Sequence, residues 1–251
     1  MKKFVFFIVS TIVFLFLLFS IFFYKSYDYK DYQITSSLFK SQIKRNNKSL
    51  IKKNYYIKDF DFSDVNKDGN LELALVYKNY LTRKSLVEVY SLKENPELIL
   101  SKELSKYKPW RVKFGNILGD EEEELLIGFI KKTPLHPIMD KRCFAYKIDW
   151  ENKSYIPMYR ASRFLQSFTD FTSYDLDKDG YAELLLIEKN RDGSNRLTCY
   201  KWHGYGYQLF YKSKDYKKLK EFTKSEKLMV DGREVFLQDE KLIIGEKNEN
   251  L

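Results

Sequence analysis

Three acidic segments of one design recur along the chain, and each runs directly into a short apolar segment. The best preserved reads Asp-Leu-Asp-Lys-Asp-Gly-Tyr-Ala-Glu-Leu over residues 175–184. A second copy starts at Asp64 and a more divergent copy at Asn116, so the three starting points (64, 116 and 175) are 52 and 59 residues apart. Periods of this length are typical of repeat architectures, in which each repeat is one supersecondary unit. The repeat therefore constrains the fold more than any other feature of the sequence.

Oxygen-bearing side chains alternate in the two well-preserved segments, as they do in calcium-binding loops. An EF-hand would need an acidic residue at loop position 12, where Leu75 and Leu186 stand, so an EF-hand is excluded. A glutamate at position 9 closes the shell instead, and a backbone carbonyl serves at position 7. An empty polar turn is the competing interpretation. The expected calcium ligands are Asp64, Asn66, Asp68, Asn70, Glu72, Asp175, Asp177, Asp179, Tyr181 and Glu183.

The middle copy departs from this pattern at two positions. Leu118 stands where a ligand oxygen is expected, and Glu121 replaces the glycine of the turn. We therefore expect the loop that starts at Asn116 to be empty or to bind metal weakly.

An apolar run of strand length follows each loop, at residues 71–77, 125–130 and 184–187. Four short strands fit into each interval, which is the content of one β-propeller blade. The predicted fold class is all-β: a small β-propeller or propeller-like array over residues 54–245, with four-stranded repeats at about 55–106, 107–165 and 166–215. Because three blades do not close a ring, we expect the terminal meander at 222–245 and one N-terminal strand to form a composite blade. A β-sandwich of duplicated hairpins is the alternative.

Residues 4–24 contain no charged side chain and are almost entirely apolar. At ~1.5 Å per residue a helix of this length spans about 31 Å, close to the ~30 Å hydrocarbon core of a bilayer. We predict an uncleaved transmembrane signal anchor, preceded by a cytoplasmic tip at 1–3. A cleaved signal peptide remains open, although no small-residue cleavage site follows the apolar run. Residues 25–53 are predicted to be a stalk with one possible strand, and residues 246–251 a tail.

Location and partners follow from the loops and the charge. Open loops of this kind bind calcium at ~10⁻⁴–10⁻³ M, which suits an extracytoplasmic position for residue 25 onward. The chain carries a net charge of +9. Without Lys2 and Lys3, 42 Lys and Arg face 35 Asp and Glu, which leaves +7 outside the membrane. This favours lipid headgroups, an anionic cell-wall polymer or an envelope protein as partner, and the anchor argues against nucleic acid. A merely solvated basic surface is equally compatible.

The loop pattern Asp-x-Asp-x-Asp-Gly-x-x-Glu-Leu at the start of a blade strand resembles the FG-GAP or VCBS type of β-propeller repeat. Segments 109–112, 128–133, 160–163 and 200–207 resemble a group of bacterial membrane-anchored proteins with such repeats and no assigned activity. The resemblance covers about residues 55–212, and the middle loop departs from it. It implies an extracytoplasmic calcium-binding propeller of a Gram-positive bacterium. In integrin-like relatives such propellers bind ligands, and in some polysaccharide lyases they carry catalysis.

No catalytic set is visible in the sequence. The two histidines, His136 and His203, fall in different repeats, and no activated Ser or Cys nucleophile accompanies either. We expect Cys143 and Cys199 to be free, partly buried thiols. The chain is therefore predicted to be a non-catalytic binding or interaction module at the cell envelope. A calcium-assisted enzyme on acidic polysaccharides and a purely structural envelope component are the alternatives.

The segment 131–142 is the most interesting candidate for binding, because it is basic and stiffened by Pro134 and Pro137. Loops on a rigid scaffold are where binding residues usually lie. The possible ligand-binding residues are Lys131, His136, Arg142, Arg160 and Arg163. A solvated basic loop is the competing interpretation.

Overall fold

The structure is a computed structural model, and it describes residues 10–11, 24–120, 122–223 and 227–246. Within these ranges no helix is long and apolar enough to cross a membrane. The predicted tip at 1–3 and, apart from residues 10, 11 and 24, the predicted anchor at 4–24 lie outside the described residues. The anchor therefore stays a prediction.

Residues 25–53 form a complete antiparallel sheet, here called sheet 1, where the sequence predicts a stalk with one possible strand. In β2 and β3 every second side chain points into the core, including Tyr32, Ile34 and Ile43, each 3% exposed or less. The residues that alternate with them are polar, and two of the buried positions are serines, so the period-2 pattern is hidden in a polar composition. The strands, in spatial order, are β1 (Lys25–Tyr29), β2 (Tyr32–Ser36), β3 (Ser41–Arg45) and β4 (Lys48–Lys53).

The three repeats form sheets 2 to 4, and the prediction of four-stranded units is confirmed. Each sheet is an antiparallel meander in chain order. Sheet 2 contains β5 (Tyr56–Ser63), β6 (Glu72–Lys78), β7 (Ser85–Ser91) and β8 (Glu97–Glu103). Sheet 3 contains β9 (Arg111–Gly115), β10 (Glu124–Thr133), β11 (His136–Asp149) and β12 (Ser154–Arg160). Sheet 4 contains β13 (Phe168–Tyr174), β14 (Glu183–Lys189), β15 (Asn195–Trp202) and β16 (Tyr207–Ser213). A 3-10 turn at Ser105–Tyr107 precedes sheet 3.

The C-terminal meander, here called sheet 5, continues sheet 4 into one eight-stranded sheet and contains no N-terminal strand, so the prediction of one composite blade built from both chain ends is wrong. Its outer strand runs parallel to β16 through the pairs Lys212↔Lys241 and Ser213↔Leu242. Each chain end contains enough alternating apolar residues to make four strands, so neither needs the other. The strands of sheet 5 are β17 (Phe222–Thr223), β18 (Met229–Val230), β19 (Arg233–Gln238) and β20 (Lys241–Ile244).

Adjacent sheets pack on each other through four hydrophobic clusters, and this gives the chain its propeller-like arrangement. Leu75 lies in the cluster between sheets 1 and 2, Leu125 between 2 and 3, Leu126 between 3 and 4, and Leu185 between 4 and 5. Successive residues of one strand thus enter different clusters, because a strand in a middle sheet is covered on both sides. This explains the unbroken apolar runs that follow the loops.

The first strands of neighbouring sheets run side by side in the same direction. The rings of Tyr29 and Phe62 stack at 4.6 Å between β1 and β5. Asp59 Oδ2 accepts a hydrogen bond of 2.9 Å from the backbone N–H of Val112, which joins β5 to β9. Asp170 Oδ2 accepts one of 2.8 Å from Phe222, which joins β13 to β17. Carboxylates therefore replace the backbone ladder between sheets, with charge-assisted bonds.

Parallel first strands give the array two distinct faces. The acidic segments at 64–71, 116–123 and 175–182 all follow the ends of first strands, and we call their side the loop face. The opposite side holds the starts of β1, β5, β9 and β13 together with the connections 37–40, 79–84, 104–110, 134–135, 161–167 and 190–194. We call it the basic face, because basic residues outnumber acidic ones in its connections.

Candidate metal centre

The glutamate at position 9 anchors each of the three acidic loops in the same way. One of its carboxylate oxygens accepts a hydrogen bond from the backbone N–H of the second loop residue. The distances are 3.0 Å for Glu72 with Val65, 2.9 Å for Glu124 with Ile117 and 2.8 Å for Glu183 with Leu176. All three glutamates are at most 1% exposed. The repeated sequence therefore builds a repeated structure.

Two residues with positive φ turn the chain in the first and third loops. Lys67 and Gly69 have φ of 55° and 86°, and Lys178 and Gly180 have 61° and 89°. The turn lets the first aspartate accept a hydrogen bond from the glycine, at 3.0 Å from Gly69 to Asp64 and at 3.1 Å in the third loop. Glycine adopts this backbone without a steric penalty, which explains its place in the motif.

The first loop has carboxylate oxygens that fit a cation. Asp64 Oδ1 and Glu72 Oε1 are buried, and neither has a hydrogen-bond partner. Desolvation raises the pKa of Glu72, and the charges of Asp68 and Asp64 add to this effect. Ser91, which lies opposite Glu72 on β7, offers no positive charge. Lys93 is half exposed and lies 3.8 Å from Asp68, whereas no ion pair is seen for Asp64 or Glu72 in the described part of the chain. Hard oxygen ligands of this kind suit calcium.

The third loop brings the same ligand set together but places a lysine among the carboxylates. Oxygen atoms of Asp175, Asp177 and Glu183 all lie within 4.8 Å of one another. The ammonium group of Lys201 lies 2.5 Å from Asp177 Oδ2, 2.7 Å from Asp179 Oδ2 and 3.3 Å from Glu183 Oε1. Although desolvation opposes its charge, the hydrogen bonds to both aspartates raise the pKa of Lys201. An internal cation therefore lies beside the ligands expected for calcium.

The middle loop is neutralised in a related way. Lys147 on β11 is the equivalent of Lys201 on β15. Each lysine directly follows a tyrosine that pairs with a leucine of the neighbouring strand, Tyr146 with Leu125 and Tyr200 with Leu184. The ammonium group of Lys147 lies 2.9 Å from Asp120. Glu124 Oε2 accepts hydrogen bonds from the backbone N–H groups of Ile117 and Leu118, whereas its Oε1 is buried and has no hydrogen-bond partner. Burial raises the pKa of Glu124 to about 7. Lys147 beside Asp120 and the replacement of a ligand oxygen by Leu118 make this loop a poorer oxygen cage than the other two, and weak or absent metal binding there stays a prediction.

The three loops are joined to one another along the loop face. The N–H of Glu123 donates to the carbonyl of Val65 at 2.9 Å, which connects the middle loop to the first. Asn116 Nδ2 donates to the carbonyl of Gly180 at 2.8 Å, which connects it to the third. The ring of Tyr181 lies directly over Gly119, where a Cβ atom would be 1.7 Å from its Cε1. The middle loop therefore acts as a spacer between the two other loops.

A cavity of about 470 Å³ opens between the first strands on the loop face. Aromatic rings and charged groups line it, and Lys113 Nζ lies 2.8 Å from Asp61 Oδ1 inside it. Desolvation raises the pKa of Glu123, which also lines it. Sequence reasoning missed this site, although the alternation Phe60-Asp61-Phe62 places Asp61 on a different side of its strand from the two rings.

Residues 131–142 form paired strands rather than a loop. They complete β10 and begin β11, with a bulge between Lys131 and Thr133. Arg142 is 2% exposed, and its Nη2 lies 2.7 Å from His136 Nδ1 and 3.0 Å from the carbonyl of Ile138. It therefore supports the hairpin from inside instead of facing solvent as a ligand-binding cation would.

Among the described residues, no contact joins Lys131, His136, Arg160 and Arg163 into one site. The ammonium group of Lys131 lies over the ring of Tyr107, 4.2 Å from its centroid. Arg160 and Arg163 are exposed. The hairpin tip and both arginines lie on the basic face, whereas the acidic loops lie on the loop face. Substrate held by Lys131 and His136 would therefore be out of reach of calcium in those loops.

Both thiols are free and buried, as the sequence predicts, although their burial is complete rather than partial. Cys143 and Cys199 are 1% and 0% exposed. Burial raises the pKa of each thiol. Neither is positioned for chemistry with a solvent-borne reagent.

Comparison with known proteins adds little to this description. No protein-family model matches the chain, and no curated protein matches it. Among solved structures, the Dos1 propeller is similar at a TM-score of 0.49 and 15% sequence identity. The match covers 76% of this chain and 46% of that chain, so this chain spans less than half of its length. The propeller-like description therefore rests on the sheets themselves.

Proposed function

We propose that this chain is a membrane-anchored, extracytoplasmic, calcium-binding β-propeller that acts as a non-catalytic binding module at the cell envelope. One observation supports it above the others. Asp64 and Glu72 each have a buried carboxylate oxygen without a hydrogen-bond partner, and both residues belong to the first loop. Buried charge without a partner is costly, and a bound cation removes that cost. The loop pattern also supports assigning the repeats to the FG-GAP or VCBS type.

Calcium in the first loop would be held by Asp64, Asn66, Asp68 and Glu72, with the backbone carbonyl of Asn70. Its role is to hold the ends of β5 and β6 together. A site with a Kd of ~0.1 mM in ~1 mM calcium stabilises the fold by about 1.4 kcal/mol. For a domain of this size that is about 3–5 °C in the midpoint of thermal unfolding.

The third loop takes calcium only in competition with Lys201. Asp175, Asp177, Asp179 and Glu183, together with the carbonyl of Tyr181, would hold the ion there once the ammonium group has moved away. Displacing a paired charge lowers the apparent affinity. We therefore expect the first loop to fill at lower calcium concentration than the third.

The extracytoplasmic location is supported by the apolar segment at 4–24 and by the loops, which suit the millimolar calcium outside cells. The cavity on the loop face is the best candidate for ligand binding, because it combines aromatic surface with the Asp61–Lys113 ion pair. The enzyme alternative loses its geometric basis, since its histidine and its calcium lie on opposite faces.

Calcium titration of the full-length protein in detergent tests the metal. We expect saturable binding, and a rise of about 3–5 °C in the unfolding midpoint between chelator and 1 mM calcium. Magnesium at the same concentration should give a smaller rise, because it requires a tighter octahedral shell. A midpoint that is indifferent to chelator would refute calcium binding.

Affinity capture from cell-envelope extracts with the full-length protein tests the binding role. It should be run in calcium and in chelator, since loss of the partner in chelator would tie binding to the loop face. Resistance of the protein to extraction from membranes by carbonate tests the anchor separately. Capture of no envelope component under either condition would count against a binding module.

A further inference from the structure

Several exposed aliphatic side chains lie in separate connections and strand ends of the basic face. Leu135, at the tip of the β10–β11 hairpin, is 87% exposed, and its neighbours Ile138 and Met139 are 59% and 47% exposed. Leu81 in the β6–β7 turn is 78% exposed, and Leu165 before β13 is 55% exposed. Apolar side chains exposed together on one side of a molecule mark an interaction surface. On the loop face, the large exposed apolar residues in the connections are tyrosines, Tyr181 and Tyr205.

Basic side chains lie on the same face as these aliphatic residues. The connections of the basic face carry more Lys and Arg than Asp and Glu, whereas the reverse holds in the connections of the loop face. The fold thus separates the two signs of charge onto opposite sides. The basic residues include Arg83, Lys84, Lys106, Lys108, Lys132 and Arg163.

The chain enters the array on this same face. β1 starts at Lys25, whose ammonium group lies 5.7 Å from the ring centroid of Tyr56 at the start of β5. Tyr24, directly before it, is 58% exposed. The uncharged apolar segment 4–24 ends at this point of the sequence. A membrane that holds that segment would be joined to the array at the basic face, because Tyr24 and the start of β1 lie there.

From these three observations we infer that the basic face docks flat on an anionic lipid bilayer, with the aliphatic side chains of the hairpin tip inserted at the headgroup boundary. The inference rests on the proposed function only for the anchor. Lys and Arg attract anionic headgroups, and aliphatic side chains beside them gain by leaving water. Docking directs the loop face, with its metal loops and cavity, away from the membrane and toward envelope partners.

Quenching of a single added tryptophan by brominated acyl chains tests this orientation. The full-length protein carrying Leu135→Trp is reconstituted in vesicles of phosphatidylglycerol and phosphatidylcholine. The matched control is Tyr205→Trp, because Tyr205 is 91% exposed in the connection between β15 and β16 on the loop face. Subtracting the emission of the unsubstituted protein removes the contribution of Trp110, Trp150 and Trp202.

We expect the emission added by Leu135→Trp to fall about twofold in brominated anionic vesicles, and that added by Tyr205→Trp to stay unchanged. Lys132→Glu with Arg163→Glu should remove most of the quenching without moving the unfolding midpoint, since both side chains are exposed. High salt should weaken the quenching as well.

Other outcomes separate the docking from the anchor. Carbonate-resistant flotation with both tryptophans unquenched would overturn the docking and leave the anchor standing. Salt-sensitive flotation with quenching at position 135 would support the docking and remove the anchor. Equal quenching of both tryptophans, or equal quenching in neutral vesicles, would overturn the proposed anionic, face-down orientation. A different result would be that, in lipid-free detergent, the tryptophan at position 135 becomes more shielded from water as the protein concentration rises. That result would show that the hairpin tip contacts a second copy of the chain instead.

Discussion

Lys201 Nζ lies 3.3 Å from Glu183 Oε1. Lys201 is on β15, which pairs antiparallel with β14, the strand that Glu183 begins. The lysine therefore neutralises the ninth-position carboxylate of the loop whose sequence best fits calcium. In the first loop the equivalent position is Ser91, opposite Glu72. The two loops match in sequence and backbone, yet a half-buried lysine contacts three carboxylates of the third loop, whereas the first loop has only the exposed Lys93 at 3.8 Å from Asp68.

Lys201→Met should strengthen calcium binding at the third loop by on the order of tenfold, because the competing ammonium group is gone. In chelator the same variant should lose about 2–4 kcal/mol of unfolding free energy, since the carboxylates then repel one another without a counter-ion. Calcium titration monitored by calorimetry and denaturant unfolding measure the two effects.

Lys93→Met is the matched control for that variant. The ammonium group of Lys93 lies 3.8 Å from Asp68 and its side chain is 52% exposed, so its removal should change calcium affinity very little. If Lys201→Met and the unsubstituted protein bind calcium with the same affinity and stoichiometry, Lys201 is not a competitor for the site.

Glu72→Gln should abolish calcium binding at the first loop, because a neutral amide replaces the carboxylate that closes the shell. In chelator the variant should be as stable as the unsubstituted protein or more so, since burial already raises the pKa of Glu72. The measurement is the unfolding midpoint with and without calcium. The exposed Glu94→Gln, on the same face, should keep the full calcium response; an undiminished response in Glu72→Gln would assign the stabilisation to another site.

Glu124→Gln should change how stability depends on pH. Burial raises the pKa of this glutamate from 4.5 to about 7 in the folded state. The folded chain then binds a proton that the unfolded chain lacks between about pH 4.5 and 7, so this group favours folding as pH falls through that window. Above pH 7 the buried charge is fully present, and the substitution should stabilise the fold by on the order of 2 kcal/mol.

Denaturant unfolding at pH 8 and pH 5, in chelator, measures this difference. Asp120, whose charge raises the pKa of Glu124, and Lys147, whose charge lowers it, face the group and are left unchanged. We expect the gain from Glu124→Gln to shrink toward zero at pH 5. An equal gain at both pH values would show that the pKa of Glu124 is not raised.

Asp170→Asn should destabilise the fold by about 3–5 kcal/mol, because it leaves a buried guanidinium without its counter-ion. Arg111 Nη2 lies 3.1 Å from Asp170 Oδ2 and 3.2 Å from the carbonyl of Phe222, so the pair joins sheets 3, 4 and 5. Adding Arg111→Met should recover part of the loss. Strict additivity of the two substitutions in denaturant unfolding would mean that the two groups do not interact.

Gly128→Ala should cost about 1–3 kcal/mol through overpacking. A Cβ atom there would lie 2.8 Å from Phe171, 2.9 Å from Trp110 and 3.0 Å from Arg111. Gly206→Ala is the control, since its nearest neighbour would be Tyr159 at 3.8 Å. A loss of stability in the control equal to that in Gly128→Ala would show that lost glycine flexibility, rather than contact, is responsible.

Much of the repeat region could be predicted from the sequence, because its signals are local. The position of Glu183 after a turn glycine and before an apolar run marks both the loop and the start of the strand. Sheet 1 escaped prediction because no acidic loop marks it and its buried positions, such as Ile34 and Ile43, alternate with polar residues. The sequence favours a loop at 131–142, because Pro134 and Pro137 conceal the strand pairing on either side of them.

The sequence by itself determined the four-stranded repeat, the acidic loops and the spacing of their oxygen-bearing side chains, because the order of residues along one stretch of chain is enough for each of them. Only the tertiary structure decided which loop has its own cation, since Lys201 and Glu183 meet through strand register. It also decided that Arg142 is buried, and that acidic and basic connections lie on opposite faces. Those properties depend on residues far apart in the chain, which the parallel alignment of the first strands brings to one side.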